Sequence, residues 1–368
     1  MPIARQEYLH TLSRLVLQGY AHDDAGRAAN LPRVPADVRY VCGLDPEQLA
    51  EFLWLAEQHH VTVRALEVLE TSAAIRACGP VQKWCESSLS AERSRIAHAI
   101  DALATICEAL TAAGAKVTVI KSLDHWPDIG SDLDVYTSGT PEQVRRVMRE
   151  KLQAQQEPRS WGDRLANKWN FRVPGLAELV EVHVRYLGQT GEQKLMAARV
   201  LERSVTKTVN GRTFPVPAPE ERILISTLQR MYRHFYFRLC DMADVAALLE
   251  SGAVDFAELR RGAELGGVWR GVASFLVVVS NYVNGLGGQL TLPCEVTKAA
   301  YSPDLRVQFR DNFLRVPMGP AAGLYGSQLL NAGRHRDLRA ISRLPLLPPL
   351  AVSALVAYRL TGTDKGVW

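Results

Sequence analysis

The sequence predicts a mixed α/β fold in which a small central sheet is flanked by helical regions at both ends. Three observations predict it. Apolar spacing between Pro46 and about Ala113 is helical, a set of short β-patterned runs begins after Gly114, and from Pro217 onward the pattern is mostly helical again. The 368 residues then divide into a helical N-terminal region (1–113), a sheet-bearing core (114–216) and a helical C-terminal domain (217–368). Such a division suits a chain longer than one compact core usually uses.

Composition narrows the class. With 47% hydrophobic and 22% charged residues the chain reads as an ordinary globular protein. A formal charge of +4 is small for this length, so charge alone points neither to nucleic acid nor to an anionic membrane. The opening MPIARQEYLHTLSRL lacks the apolar core and cleavage site of a secretory signal, and a cytoplasmic location is expected. The apolar stretch from Leu344 to Tyr358 contains Pro345, Pro348 and Pro349 and is too short to span hydrocarbon as a helix. It is expected to dock on the body, and no transmembrane segment is expected. Cys42, Cys78, Cys85, Cys107, Cys240 and Cys294 form no CxxC pair and have no His-rich companion. That spacing argues against a zinc site and a disulfide framework, and for reduced, mostly buried thiols.

In the first region Leu49, Phe52, Leu53 and Leu55 mark one amphipathic helix, and Ile96, Ile100, Leu103 and Ile106 mark another. KVTVIK, a polar connection and DLDVYT then read as two strands separated by a short turn. Pro141 to Gln155 reads as a charged helix, with Thr140 at the N-cap, Pro141 at N1 and Glu142 in the first turn. KWNFRV and LVEVHVRY, joined at Pro174 and Gly175, read as a hairpin that adds antiparallel strands. PAPEERILISTLQRMYRHFYFRLCDMADVAALLE, opened by proline and paired acids, reads as a long helical region. GLGG at Gly285 to Gly288 lacks a strand-then-helix setting and reads as a turn rather than a dinucleotide loop.

The chemistry centres on GSDLDVY. Asp132 and Asp134 lie two apart on a strand, so they share a face at a separation that can grip one or two divalent ions. Two ionised carboxylates repel unless a cation lies between them, and Mg²⁺, with its hard oxygen ligands, is the expected ion. A capped turn leading to a surface strand would produce SDLD as well. Upstream, Lys121 and Ser122 follow VTVI where turn amides, a hydroxyl and an ammonium can hold phosphates. In LVEVHVRY, alternation puts Val180, Val182 and Val184 on one face and Glu181, His183 and Arg185 on the other. Glu181 is the candidate third carboxylate or base, although a solvated sheet face gives the same pattern. His183 suits a phosphate contact, an orienting role or a structural one.

VIKSLDHWPDIGSDLDVYT resembles the strand, turn and DxD strand of metal-dependent nucleotidyltransferases of the polymerase-beta-like superfamily, and VEVHV resembles the acid-and-histidine strand of its less characterised bacterial branch. The resemblance covers about Gly114 to Glu250. Lys121 stands where the wider superfamily prefers glycine, and Glu181 replaces the more usual aspartate. What the resemblance implies is attack by an acceptor hydroxyl on the α-phosphorus of an NTP, ATP being the first expectation, with departure of pyrophosphate. Two Mg²⁺ ions would be held by Asp132, Asp134 and Glu181, with Lys121, Ser122, Gly130, Ser131, His183 and Arg238 as nucleotide or phosphate contacts. RHFYFRLCDMADVAALL is similar to the helical segment that follows the sheet in this branch. There Arg238 and Asp241, three apart on a helix, are expected to pair, contact with a phosphate or base being the other reading for Arg238. Tyr232, His234, Phe235 and Tyr236 are given no role. Two alternatives belong to other classes: a catalytically silent nucleotide- or partner-binding regulator, and an enzyme acting on RNA ends. The latter would draw on Arg334, His335, Arg336, Arg339 and Arg343, which a solvated helix face explains more simply, so nucleic acid is not favoured.

Overall fold

The computed structural model describes residues 2–19 and 35–361. Its centre is a five-stranded mixed sheet of β1 (Val117–Val119), β2 (Asp132–Thr137), β3 (Gln155–Gln156), β4 (Lys168–Arg172) and β5 (Leu179–Val184), in the order β1-β2-β5-β4-β3. β2 and β5 are parallel, and the other neighbours are antiparallel. The expected pair of strands at KVTVIK and DLDVYT and the expected hairpin at KWNFRV and LVEVHV are both present.

Alternation decides which face is buried. Leu133, Val135, Trp169, Phe171, Val180 and Val182 lie within the hydrophobic core, whereas the residues between them carry carboxylate, amide, ammonium and imidazole groups. Behind the sheet runs the helix Gly79–Ala112, which buries Ile96, Ile100, Leu103 and Ile106. The connection from β2 passes through the helix Pro141–Leu152, opened by a capping box between Thr140 and Gln143 and buried along Val144, Val147 and Met148. It stops at Gln153, which adopts the left-handed conformation.

The N-terminal helices are set by equally local signals. Asp45 and Gln48 form a capping box at the helix Pro46–Gln58, whose Leu49, Phe52 and Leu55 are buried. The next helix, Thr62–Glu70, has no cap of its own; its first amides at Val63 and Arg64 donate instead to the Asp128 carboxylate at 2.6 and 3.3 Å. One core runs from Tyr8 through the sheet to Leu324.

The long helical region expected after Pro217 is interrupted. The helix Pro219–Gln229 widens into a π-helical turn, Arg230–His234, and ends at Phe235 with φ of 56°. Tyr236–Phe237 then forms a short strand paired with Phe313–Arg315 before the helix Leu239–Glu250 begins. A pairing partner far along the chain overrides the local helical periodicity here. GLGG is a turn: Leu286 follows the end of the helix Trp269–Gly285 and Gly287 has φ of 93°. In the C-terminal apolar run, Leu344 is buried beside Ala332 and Ala340. The docking expected of the whole run does not extend to Val352, Val356 and Leu360 of the helix Leu347–Thr361, which are exposed. No helix among the described residues is long and apolar enough to cross a membrane.

Candidate active site

Parallel register places Asp134 directly beside Glu181. Asp132 and His183, each two residues away on the same strands, share that face. His183 Nε2 lies 3.2 Å from Asp134 Oδ1 and 2.8 Å from Glu181 Oε1. Lys121 pairs with Asp134 and stands 3.6 Å from Glu181. Lys168, opposite His183 on β4, donates to Glu181 Oε2 at 2.8 Å and lies 2.9 Å from Asp163. Burial pushes the Asp132 pKa up to about 6, with the charges of Asp134 and Glu181 adding to the effect. Burial also acts upward on Glu181, but Lys168, Lys121 and His183 together hold it well below the usual carboxylate range.

The loop after β1 is fastened across β2. Lys121 has φ of 61°, in the left-handed region. The Ser122 hydroxyl accepts the Asp134 N–H at 2.7 Å and donates to the Asp132 carbonyl at 3.2 Å. It therefore fixes the relative heights of Lys121 and the two aspartates, an engagement that the expectation of a free phosphate donor did not include. At Gly130 a Cβ would lie 2.8 Å from His60 Cε1, so glycine is needed for that imidazole to rest on the loop. Ser131 is exposed at the edge of the cleft.

The cleft has a volume of about 140 Å³. Asp132, Asp134 and Glu181 form one wall, and Arg230, Arg233 and Arg238 border the other. The π-helical turn carries the first two of these arginines. Arg230 is almost fully buried and lies 2.7 Å from Asp241. Asp241 also accepts the Arg238 backbone N–H at 2.7 Å, so the expected Arg238–Asp241 side-chain pair is replaced by Arg230–Asp241. Arg238 precedes the helix rather than lying on it, and its guanidinium sits 5.8 Å from the ring centres of Tyr236 and Phe313. His234 and Tyr236 also border the cleft. Burial holds the His234 pKa well below normal, and the cations Arg233, Arg230 and Arg238 add to it. Tyr232 is in the core.

Arg185 leaves the site: it follows β5 with φ of 66° and is exposed, so the alternation expected to place it beside Glu181 ends at Val184. In the C-terminal basic cluster, Arg339 donates to the Gly191 carbonyl at 2.6 Å and stacks 3.6 Å from the Tyr186 ring centre, while Arg334, His335 and Arg336 are exposed. The residues missed from sequence are Lys168, Arg230 and Arg233. Alternation within KWNFRV, paired against LVEVHV, carried a signal for Lys168. The two arginines depended on the π-helical turn, which has no comparable pattern.

One ligand atom each from Asp134, Glu181 and His183 lies within 4.8 Å of the others. Glu181 Oε1 is buried without an aligned hydrogen-bond donor, despite its closeness to His183. An oxygen-rich set with an unsatisfied buried carboxylate oxygen fits a hard divalent cation, and the two lysines offset part of its charge.

A mixed sheet with a DxD strand, a third carboxylate on its parallel neighbour and a facing basic wall places the protein among nucleotidyltransferase-type proteins. The family described as uncharacterised nucleotidyltransferase matches residues 45–284, and the chain belongs to it. The match takes in the helices that precede the sheet as well as those that follow. No curated protein matches the chain.

Proposed function

We propose that this cleft transfers a nucleoside monophosphate from an NTP to an acceptor hydroxyl. The observation that carries the reading is the in-register placement of Asp134 beside Glu181, with Asp132 on the same face and three arginines across the cleft. In the reaction the acceptor oxygen forms a bond to the α-phosphorus, the bond to the bridging oxygen breaks, and pyrophosphate leaves with that electron pair. The acceptor proton passes to a base or to solvent. Arg233 and Arg238 border the space where a polyphosphate would lie, and Arg230, neutralised by Asp241, braces that wall. Lys121 and Lys168 hold the carboxylates of β2 and β5 in place.

Asp132, Asp134 and Glu181 would hold Mg²⁺, two ions being the expectation. Bound there, Mg²⁺ would supply charge neutralisation and acidify the acceptor hydroxyl. ATP is the first nucleotide to test. Calorimetric titration of each NTP, with and without Mg²⁺, tests the proposal on the wild type and Asp134→Asn. Mg²⁺-dependent binding that is lost in the variant is the expected result, and binding indifferent to both would overturn it.

A second reading, a silent regulator that binds a nucleotide or partner, is favoured by the lysines. Lys121 on Asp134 and Lys168 on Glu181 already give the carboxylates cationic partners. That reading predicts binding without Mg²⁺ and no release of pyrophosphate.

A further inference from the structure

The cleft's third group of side chains lies apart from the carboxylates. His60 follows the helix Pro46–Gln58, His125 lies on the loop between β1 and β2, and Cys240 is in the first turn of the helix Leu239–Glu250. Their spacing in sequence gives no metal motif, yet one ligand atom from each lies within 4.8 Å of the others. We propose that His60, His125 and Cys240 form a site for a borderline divalent transition-metal ion of the zinc class.

Four observations support it. His125 Nε2 and Cys240 Sγ are 3.9 Å apart, loose for a thiol hydrogen bond but near the roughly 3.5 Å that separates two ligands of a tetrahedral zinc ion with ordinary bond lengths. The Nδ1 atom of His125 is held by the Asp244 carboxylate, and a carboxylate on the far nitrogen is the usual means of orienting a metal-binding imidazole. His60 Nδ1 is buried with no hydrogen-bond partner, an unusual state for a ring nitrogen. The frame is also fixed: the Cys240 N–H donates to the His59 carbonyl at 3.2 Å, and the Leu239 N–H donates to His59 Nδ1 at 3.0 Å. Two helix ends are thereby clamped together with His60 and Cys240 facing each other.

Most of the neighbouring cationic charge is compensated: Arg64 pairs with Asp244 at 2.6 Å and the nearby Arg230 is neutralised by Asp241, which leaves Arg238 as the cation acting on His60 that a bound thiolate would help to offset. A thiolate on Cys240 would offset half of a dication. Imidazole and thiolate donors select a different ion class from the oxygen donors of Asp132 and Asp134. On binding, the Cys240 proton passes to solvent and the sulfur–metal bond replaces the S–H bond. Three protein ligands leave a fourth position, and His60 and His125 both border the cleft.

Titration of the metal-stripped full chain with Co²⁺ tests the site, since thiolate ligation produces a charge-transfer absorption that carboxylate ligation does not. Expected are that absorption, saturating with one Co²⁺ bound at the thiolate site whatever the acidic cleft takes up, and its loss on adding Zn²⁺. Cys240→Ser should abolish the absorption, His60→Gln should weaken the Co²⁺ affinity read from that absorption at least about tenfold, and Asp134→Asn should change neither the absorption nor the affinity read from it. No charge-transfer absorption, its persistence in Cys240→Ser, its loss in Asp134→Asn, or unaltered affinity in His60→Gln would each overturn the proposal. If Cys240→Ser does not fold, the affinity of His60→Gln decides, because that residue is at the edge of the cleft.

Discussion

The two walls of the cleft are built by different means. The acidic wall is sheet-borne: β2 and β5 run parallel in register, so the backbone ladder sets Asp134 against Glu181. The basic wall is carried by a π-helical turn, a left-handed residue at Phe235 and a two-residue strand held by a segment near Phe313. Local alternation marks both strands of the first before they pair, whereas the second has no local mark and exists only when distant parts of the chain have met. On the proposed reading, chemistry that needs fixed separations sits on the sheet, and the groups that would meet a flexible polyphosphate sit on the irregular segment.

The join between the walls is the most sensitive point. Arg64 is buried, pairs with Asp244 at 2.6 Å and Asp128 at 3.8 Å, and donates to the His125 and Trp126 carbonyls at 3.0 Å each. It thus ties the loop that leads into β2 of the acidic wall to the helix that follows the basic one. Arg64→Ala leaves two buried carboxylates without their cation and should lower unfolding free energy by about 3–5 kcal/mol. A shift in the denaturation midpoint equivalent to under about 1 kcal/mol would show that the walls are joined by other contacts.

Next in size is the loss of an acidic-wall carboxylate. Asp134→Asn keeps the side chain's shape and should leave the fold intact, while pyrophosphate release falls on the order of 10²–10³-fold, as when one preorganised electrostatic group is removed. Equal activity in wild type and variant would remove the sheet face from the chemistry.

Much of the acidic wall was legible because strand alternation is a short-range property. DLDVYT and LVEVHV each show apolar residues on one face and chemistry on the other, and the parallel pairing joined the two polar faces. Arg185 shows the limit of the pattern: alternation continues in the letters but stops in space where the backbone turns left-handed. Pro219 to Glu250 shows the opposite limit. Helical periodicity runs through RMYRHFYFR, yet pairing with Phe313–Arg315 breaks the helix, reassigns Asp241 to Arg230 and turns Arg238 toward the cleft. Likewise Cys240 is 115 residues from His125 in sequence yet stands beside it in space; spacing rules register only neighbours in sequence.

The irregular wall yields a smaller effect with a distinct signature. Arg238 borders the cleft without a side-chain carboxylate partner at Asp241, so Arg238→Gln should mainly raise the KM for NTP, about tenfold, in line with one charge-assisted hydrogen bond. The wild type's advantage should shrink as salt rises. A fall in kcat at unchanged KM would instead give Arg238 the rigid role assigned to the sheet residues.

The smallest effect concerns Lys207, on the strand Ser204–Val209, which donates to the Leu123 carbonyl and so supports the loop from below. Burial lowers its pKa from 10.5 to about 8, with Arg222 adding to the shift against the pull of Asp124 and Asp244. Below pH 8 folded and unfolded chains both carry the Lys207 proton. Between about 8 and 10.5 the folded protein gives it up while the unfolded chain keeps it, so the unfolded state binds more protons and stability rises with pH. The wild type should therefore gain stability relative to Lys207→Met over that window, measured as the difference in urea midpoints at pH 7.5 and 10. Because the neutral amine still donates to Leu123, the gain should come without loss of NTP binding at the higher pH. A difference that is flat with pH would mean that the Lys207 ammonium is solvated in the folded protein, leaving the loop bearing His125 to be held chiefly by Arg64, Ser122, Asp128 and the His125–Asp244 contact.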